Sequence, residues 1–577
     1  MLFFVYRHIV YTKILELPIT YSGFFSKKQP LEDIRPAATI GVFPVLPEKA
    51  ASMAMQKHAM LMIMKATEFI NPGQIPVIVG DCPLYAQQKK CQWAYPEDVG
   101  EHKIVSFIGF LHIEMASQEC GGKLLAGSGW ERIFEKGKVF THGTAKSLLG
   151  GSNVKRTRYA YQLTLAFLHV LKLEAYNEYM DASIGPHEPI DVWEERLSIQ
   201  APTIQYWRTV TDYLLTTCQF VRGQRSGDWC LTLNALEDLC PWFFVFGHTH
   251  YARWLPVFLR DMATLPDVHP GVQHAFVNGK FVVQRSSKKF SLMALDQSQE
   301  HSIKFLKEDS GAKGKYGQQE EKDVIELSKS EVLRLTEEFE SACLLAPARK
   351  VSIEHPEASE TEQNKFLGRL RGMLEVVEDG RAINPFKEMG SDLVTLDSGE
   401  IMDPEIIKSL NEASSKGKEM YDEFVKDRIE QATKPLSDII PRVKMYTFSN
   451  QPPADLRKGV NKVTSYKANT ALVTKLFLSL KARPDADIDD FFRHENQREP
   501  PSLCDQGKMI TGTKSALLGC LPGMPEPGRS AAAREATVVV LDMAAVIHMI
   551  KPQRAYLIPL LEKQITNNTT RVDGTHI

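Results

Sequence analysis

Two short apolar runs, each followed directly by a helical pattern, constrain the fold more than any other feature of this sequence. Residues 74–81 read QIPVIVGD, and residues 103–112 read KIVSFIGFLH. Apolar runs of this length, bounded by Gly or Pro, are typical of buried strands. Strands and helices that alternate with short connections indicate an α/β core with parallel pairing. We therefore predict one α/β domain at residues 38–305, with a large helical insertion at about 150–245.

The rest of the chain divides where its composition changes. Residues 306–323 are charged and nearly free of apolar side chains, and residues 521–534 are rich in Pro, Gly and Ala, so both are predicted to be linkers. The remaining predicted parts are an N-terminal extension (1–37), a polar helical region (324–445), a small helical region (446–520) and a truncated strand–helix unit (535–577). In that last unit, Asp542 follows an apolar run and is predicted to cap a helix rather than to act in catalysis. We expect the unit to pack on the preceding domain or to be poorly ordered, because it is too short to fold alone.

Charge and cysteine content limit the functional classes. The 577 residues carry 69 Lys and Arg against 71 Asp and Glu, so nucleic-acid binding would need a local basic patch. The nine cysteines include no CxxC pair, which argues against zinc ribbons. Their unpatterned distribution predicts reduced thiols, and hence an intracellular protein that could be located in the nucleus. Charged residues interrupt the apolar N-terminal stretch, so neither a membrane span nor a signal peptide is predicted. The oligomeric state is left open.

Polar residues that follow apolar runs are the candidates for chemistry. Asp81 and His112 would share one edge of a parallel sheet, where ligands and metals collect. Glu114 lies beside His112, and an imidazole with a carboxylate suits metal binding or acid–base work. Asp296 and Glu300 are four residues apart, hence on one face if a helix starts near Asp296. The structural alternatives are that both aspartates cap helices, that His112 is hydrogen-bonded in the core, and that Glu300 is a surface residue.

Basic residues form two groups of interest. The cluster Lys155, Arg156 and Arg158 is sufficient for a phosphate contact. A nucleic-acid channel near the candidate site is predicted from four others: Arg253, Arg260, Lys288 and Lys289. The alternative for both groups is ordinary solvated charge.

A short motif at residues 242–254, WFFVFGHTHYARW, predicts a strand that ends in Gly247-His248-Thr249-His250. This loop resembles the last metal-binding loop of calcineurin-like metallophosphoesterases. That fold also needs an early DxH and a GNH motif, and the chain supplies neither around Gly80-Asp81. Two-metal catalysis with most ligands missing is not expected, so this function is the most distant hypothesis.

Longer phrases carry a second resemblance. They include FINPGQIPVIVGDCPLYAQQKKCQWAYP, FIGFLHIEMA, GKFVVQRSSKKFSLMALDQSQEHS and ATVVVLDMAAVIHMI, and together such phrases span about residues 38–550. In them the chain resembles a large uncharacterised family of animal proteins that look transposon-derived. The central part is similar to a domain of unknown function in fungal mobile elements, with its GDQ, FH-x-x-M and D-x-x-x-EH motifs.

The resemblance implies an RNase H-like transposase core, or an inactive remnant of one. Such a core has a mixed sheet and holds two divalent ions, Mg²⁺ or Mn²⁺, on acidic residues to cut DNA. Asp81 matches the GD position, His112 the FH position, and Asp296 with Glu300 the D-x-x-x-EH position. Catalytic roles are thereby implied for Asp81, His112 and Glu300, and metal-ligand roles for Asp81, Asp296 and Glu300. We expect these side chains to converge to within about 10 Å, as a two-metal site about 4 Å across requires.

The chain departs from the family pattern at Gly247–His250, where relatives more often have Asp-His-x-Asn. It departs again after the EH motif, where relatives have a Gly-rich and Arg-Arg-Trp stretch and this chain has the linker SGAKGKYGQQEEKD. Two hypotheses of different class therefore remain. One is a metal-dependent, DNA-processing enzyme of transposon origin. The other is a non-catalytic binding protein or relic without enzymatic activity.

Overall fold

The computed structural model describes most of the chain up to residue 450. The described ranges are 18–30, 52–182, 188–284, 288–308 and 353–450, with a few single positions and four residues near 505. The chain divides into two compact units, Met1–Asn469 and Thr470–Ile577. In the second unit the described residues form one antiparallel pair, Cys504–Asp505 with Lys508–Met509.

The first unit opens with an alternation of helices and strands. Its elements are α1 (Tyr21–Lys28), α2 (Met53–Ile70), β1 (Val77–Gly80), α3 (Cys82–Ala94), α4 (Pro96–Val99), β2 (Val105–Ile108) and α5 (Phe110–Leu125). Strands β1 and β2 pair in parallel, with Val77 opposite Val105 and Gly80 opposite Ile108. The predicted parallel pairing is confirmed, and both strands end at the same edge. Helix α5 begins at Phe110, so His112 lies in its first turn rather than at a strand end.

The middle of the unit is helical. Its helices are α6 (Trp130–Lys136), α7 (His142–Leu148), α8 (Val154–Ala182), α9 (Ile190–Gln200), α10 (Pro202–Ser226), α11 (Trp229–Val245), α12 (Thr249–Val268) and α13 (Pro270–Val277). The predicted helical insertion corresponds to α8–α11. The strand predicted from the GHTH motif is wrong, and the helical prediction for residues 231–246 is confirmed, because Trp242 to Val245 form the last turn of α11. All four side chains are buried, and a run that is apolar on every side has no periodicity to tell helix from strand.

A hairpin and further helices complete the unit. They are β3 (Val282–Gln284), β4 (Leu292–Ala294), α14 (Leu295–Glu308), α15 (Glu360–Glu378), α16 (Pro404–Asn411) and α17 (Ala413–Val425), with short helical turns at Pro356–Ala358, Pro385–Lys387 and Lys426–Glu430. The late helices share the core of the earlier ones. The rings of Phe244 in α11 and Phe424 in α17, for example, lie 5.4 Å apart, edge to face. Helices from the predicted 324–445 region therefore complete the core of the predicted 38–305 domain.

The fold is mixed α/β and mostly helical. The described strands occur in pairs, β1 with β2, β3 with β4, and the short pair of the second unit. The larger mixed sheet of an RNase H-like fold therefore stays a prediction. None of the helices described is both long and apolar enough to cross a bilayer.

Several sequence predictions fall wholly or largely outside the described residues. They concern the N-terminal extension, the linkers at 306–323 and 521–534, the small helical region at 446–520, and the unit at 535–577 with Asp542.

Candidate active site

The amino end of α5 is capped by Asp296, which belongs to the distant helix α14. Gly109 occupies the N-cap position and has no side chain to offer. The Asp296 carboxylate takes that role, because Oδ1 accepts from the Leu111 amide (3.1 Å) and Oδ2 from the His112 amide (3.2 Å). A carboxylate here also offsets the positive end of the helix dipole. Gly109 is required, since a Cβ at its position would lie 2.5 Å from Asp296 Oδ2.

The same carboxylate holds the imidazole of His112. Oδ2 of Asp296 lies 3.0 Å from Nδ1 of His112. The Asp296 side chain is buried, whereas that of His112 is 32% exposed. A proton on Nδ1 that is donated to a buried carboxylate leaves Nε2 as the reactive nitrogen. The pair is therefore oriented to exchange a proton at Nε2.

The electrostatic surroundings favour the charged form of His112. Its pKa is raised chiefly by the hydrogen bond to Asp296, while burial opposes the shift. The negative charges of Asp296, Asp81 and Glu300 add to it. His112 is accordingly protonated more readily than a free imidazole.

Asp81 caps the helix that follows β1. Its Oδ1 accepts from the Leu84 amide at 3.0 Å, so the capping alternative is confirmed. Its side chain remains partly exposed, and its charge reaches both His112 and Tyr251. A helix cap at the carboxyl end of a strand can still present a carboxylate to a ligand.

Tyr251 is a neighbour that sequence reasoning missed. Its hydroxyl donates to the backbone carbonyl of His112 at 3.1 Å. Burial raises the pKa of Tyr251, and the charges of Cys82, Asp81 and Asp296 raise it further. The only hint in the sequence is its position directly after the GHTH motif.

Glu300 lies one helical turn after Asp296 and is exposed. It acts on His112 through its charge, as Asp81 does. The structure thus brings Asp296 and His112 into contact and places Asp81 and Glu300 within electrostatic reach of the same imidazole.

A metal centre on Asp81, Asp296 and Glu300 fits these residues only in part. Across the described residues, no group of three or more His, Cys, Asp or Glu is positioned to hold a metal ion. Asp296 is the least available carboxylate, since its Oδ1 accepts from the Leu111 and Gln297 amides and its Oδ2 from the amide and ring of His112. These four contacts use the lone-pair positions of the carboxylate. Asp81 and Glu300 remain, and Mg²⁺ is usually held by one or two carboxylates together with substrate phosphates.

Glu114, predicted as a partner of His112, instead pairs with Arg158 of α8. The guanidinium donates through Nε and Nη2 to both oxygens of the fully buried carboxylate. Gln118 Nε2 donates to Glu114 Oε1 at 2.8 Å. Residues two apart on a helix point in different directions, so Glu114 faces away from the site. Its role is to tie α5 to α8.

The two histidines of the GHTH motif lie in different surroundings. His248 precedes α12, and its Nε2 accepts from Lys123 Nζ at 3.0 Å. Burial lowers the pKa of His248, and the charge of Lys123 adds to that shift. His250 is exposed and lines a groove beside Trp93 and Trp254. No contact joins either imidazole to Asp81 in the described structure.

The four basic residues predicted to line a nucleic-acid channel occupy two places. Arg253 and Arg260 lie on α12, whereas Lys288 and Lys289 lie between β3 and β4. Three of them have partners within the protein: Arg253 donates to the Asp438 carbonyl, Arg260 pairs with Asp261, and Lys289 lies 3.6 Å from Glu354. A shared channel stays a prediction.

Fold and site together define a mostly helical α/β protein with a His–Asp pair at the edge of a parallel strand pair. Residues 187–495 match the family described as Domain of unknown function (DUF8702). The match covers more than half of the chain, so the chain belongs to that family. The matched segment contains Asp296 and Glu300 and begins after His112. Neither a curated protein nor a solved structure matches the chain.

Proposed function

We propose that this chain is a transposon-derived protein that processes DNA, with His112 as the acid–base group of an RNase H-like active site. The observation that carries the proposal is the 3.0 Å contact between His112 Nδ1 and Asp296 Oδ2. A half-exposed imidazole held by a buried carboxylate is an arrangement that general acid–base catalysis uses. The substrate class comes from the resemblance of the phrases around Asp81, His112 and Asp296 to transposon-derived proteins.

In this mechanism Asp296 orients the ring and His112 moves the proton. The neutral imidazole donates from Nδ1 to Asp296, and Nε2 accepts a proton from the attacking hydroxyl group or water. The resulting imidazolium is stabilised by Asp296 and by the charges of Asp81 and Glu300, which also raise the pKa of His112. Nε2 can then return the proton to the leaving oxygen of the phosphodiester.

Dependence on Mg²⁺ or Mn²⁺ is part of the proposal. Asp81 and Glu300 are the carboxylates available to such an ion, and Asp296 is not. When bound, the ion would offset the negative charge of the phosphate.

A non-catalytic role is the second candidate, and one observation favours it. Asp81 and Asp296 each cap a helix, and this alone gives both carboxylates a structural reason to be present. On this hypothesis His112 stabilises the fold and no DNA is cut.

Nicking of supercoiled DNA by the purified full chain, with Mg²⁺ or Mn²⁺ added, separates the two candidates. His112→Gln removes the titrating group, and His58→Gln at an exposed position of α2 is the matched control. We expect His112→Gln to lower the rate about a hundredfold or more, the usual contribution of an acid–base group, and the control to leave it unchanged. An absence of nicking by the unmodified chain, or full activity of His112→Gln, would overturn the catalytic proposal.

A further inference from the structure

A cavity of about 770 Å³ lies beside α14, next to residues of the candidate active site. Asp296 and Glu300 of this helix act on His112, whereas Gln297 and His301 line the cavity. Other walls come from α1, α8, α10, β4 and α15. A volume of this order is typical of sites for small organic ligands and nucleotides.

The walls are strongly basic. Six cationic side chains line the cavity: Lys155, Arg156, Arg158, Arg225, Lys365 and Arg369. Only two carboxylates accompany them, and one of these, Glu362, lies 3.4 Å from Lys365. The charge of Arg158 is neutralised by its ion pair with Glu114.

The other four cations have no carboxylate within 4.0 Å in the described part of the chain. These are Lys155, Arg156, Arg225 and Arg369. Positive charge that is not paired and lies in a partly enclosed space attracts anions. Two of these four, Lys155 and Arg156, belong with Arg158 to the cluster that sequence analysis considered sufficient for a phosphate contact.

Arg225 shows where an anion would sit. Its Nη1 donates to Ser22 Oγ at 3.3 Å and lies 3.4 Å from Nε2 of His355. The Nδ1 atom of His355 accepts from the Glu357 amide at 3.2 Å, and burial lowers the pKa of His355 to about 4. The neutral ring therefore carries its proton on Nε2, which faces the guanidinium as a second donor. The two nitrogens are too close for an oxygen to lie between them, but an acceptor oxygen to one side of the pair could accept from both N–H groups.

Burial makes the charge on Arg225 costly. It lowers the pKa of this guanidinium to about 10, and the nearby charge of Arg158 lowers it further, while Glu357 and Glu114 act in the opposite direction. A bound anion would relieve both effects. The Arg225 guanidinium therefore lies in surroundings that would be stabilised by an additional negative charge.

We propose that this cavity binds a phosphate-bearing ligand of nucleotide size, whose phosphate accepts from Arg225 Nη1 and His355 Nε2. A phosphate group carries more negative charge than a carboxylate and offers three acceptor oxygens, which suits several convergent cations. Tyr159 and Phe140 also line the cavity, and the guanidinium of Arg369 lies over both rings. These contacts hold the Arg369 guanidinium at the cavity wall, where it adds to the positive charge. The source is either a free nucleotide or the phosphates of a nucleic-acid strand, and the site does not depend on proton transfer by His112.

Binding of three probes to the full chain tests this proposal: tripolyphosphate, a nucleoside triphosphate and a short single-stranded oligonucleotide, all at one ionic strength. Arg225→Met removes the central donor at similar volume. Arg381→Met is the matched control, because Arg381 is exposed and pairs with Asp379 outside the cavity. We expect Arg225→Met to weaken binding at least tenfold and Arg381→Met to leave it unchanged.

A second variant, at exposed cationic residues of the cavity wall (the rim), tests the proposal if Arg225→Met fails to fold. Lys155 and Arg156 are exposed, so Lys155→Met/Arg156→Met should fold normally and weaken binding severalfold. Binding of the triphosphate identifies a free nucleotide, and binding of the oligonucleotide alone identifies a strand. If no probe binds at millimolar concentration, or if the rim and Arg225 variants bind as tightly as the unmodified chain, the proposal is wrong.

Discussion

Asp296 contacts His112 twice with one oxygen, since Oδ2 accepts from the His112 amide at 3.2 Å and lies 3.0 Å from the ring Nδ1. The backbone contact fixes the start of α5, and the side-chain contact fixes the imidazole relative to that helix. The orientation of the ring is therefore set by the same interaction that joins α14 to α5. A change at Asp296 must affect stability and the titration of His112 together.

Asp296→Asn tests this coupling at nearly constant size. The amide has one acceptor oxygen and no charge, so it can keep only part of the cap and cannot favour the imidazolium. We expect the pKa of His112 to fall and the free energy of unfolding to decrease by about 1 kcal/mol, the usual value of a cap. Histidine proton resonances followed against pH, together with urea unfolding, measure both. A lower stability with an unchanged His112 titration would contradict the coupling.

The stability of the protein should depend on pH through His112. The folded pKa is raised above its ordinary value of 6.5, so the native state binds this proton more tightly than the unfolded chain does. The stabilisation is fully present below 6.5 and is lost as the pH rises through the folded pKa. The stability lost in His112→Gln should therefore be largest at low pH and shrink as the pH rises. Urea unfolding of both proteins across this range checks the sign, and a difference that grows with pH would refute it.

The local features of the site could be predicted from sequence because they depend on neighbours along the chain. The apolar runs before Asp81 and His112 predicted strands β1 and β2. The position of Asp81 at the end of an apolar run, just before a helix with Pro in its first turn, predicted its capping role as the structural alternative. The shared helix face of Asp296 and Glu300 was predicted on the condition that a helix starts near Asp296, and α14 begins at Leu295.

The pairings between distant elements could not be predicted in this way. Nothing near His112 indicates that its ring partner lies on α14, and nothing near Glu114 indicates that Arg158 will neutralise it. Both pairs depend on how α5 packs, which only the folded chain determines. Tyr251 was missed for the same reason, because its contact is to a backbone carbonyl that any sequence would supply.

Gly109 should tolerate no side chain. Alanine there would place Cβ 2.5 Å from Asp296 Oδ2, and the carboxylate is held by too many bonds to move freely. We expect Gly109→Ala to destabilise the protein by about 1–3 kcal/mol, as overpacking does. Gly368→Ala is the control, since this glycine lies inside α15 with open space around it and should stabilise by about 0.5–1 kcal/mol. Thermal unfolding compares the two, and equal effects would show that α14 can shift without loss.

The Glu114–Arg158 pair should behave as a buried ion pair whose partners need each other. The Glu114 carboxylate is fully buried and the Arg158 side chain is 12% exposed, so removal of either one leaves an uncompensated charge. We expect Glu114→Gln and Arg158→Met each to cost about 3–5 kcal/mol in the free energy of unfolding. The double variant should cost much less than the sum, because it removes both charges together. Arg381→Met, which breaks an exposed pair with Asp379, should cost less than about 1 kcal/mol. Urea unfolding of the four variants gives the coupling energy directly, and additive losses would mean that the two charges are compensated by other groups.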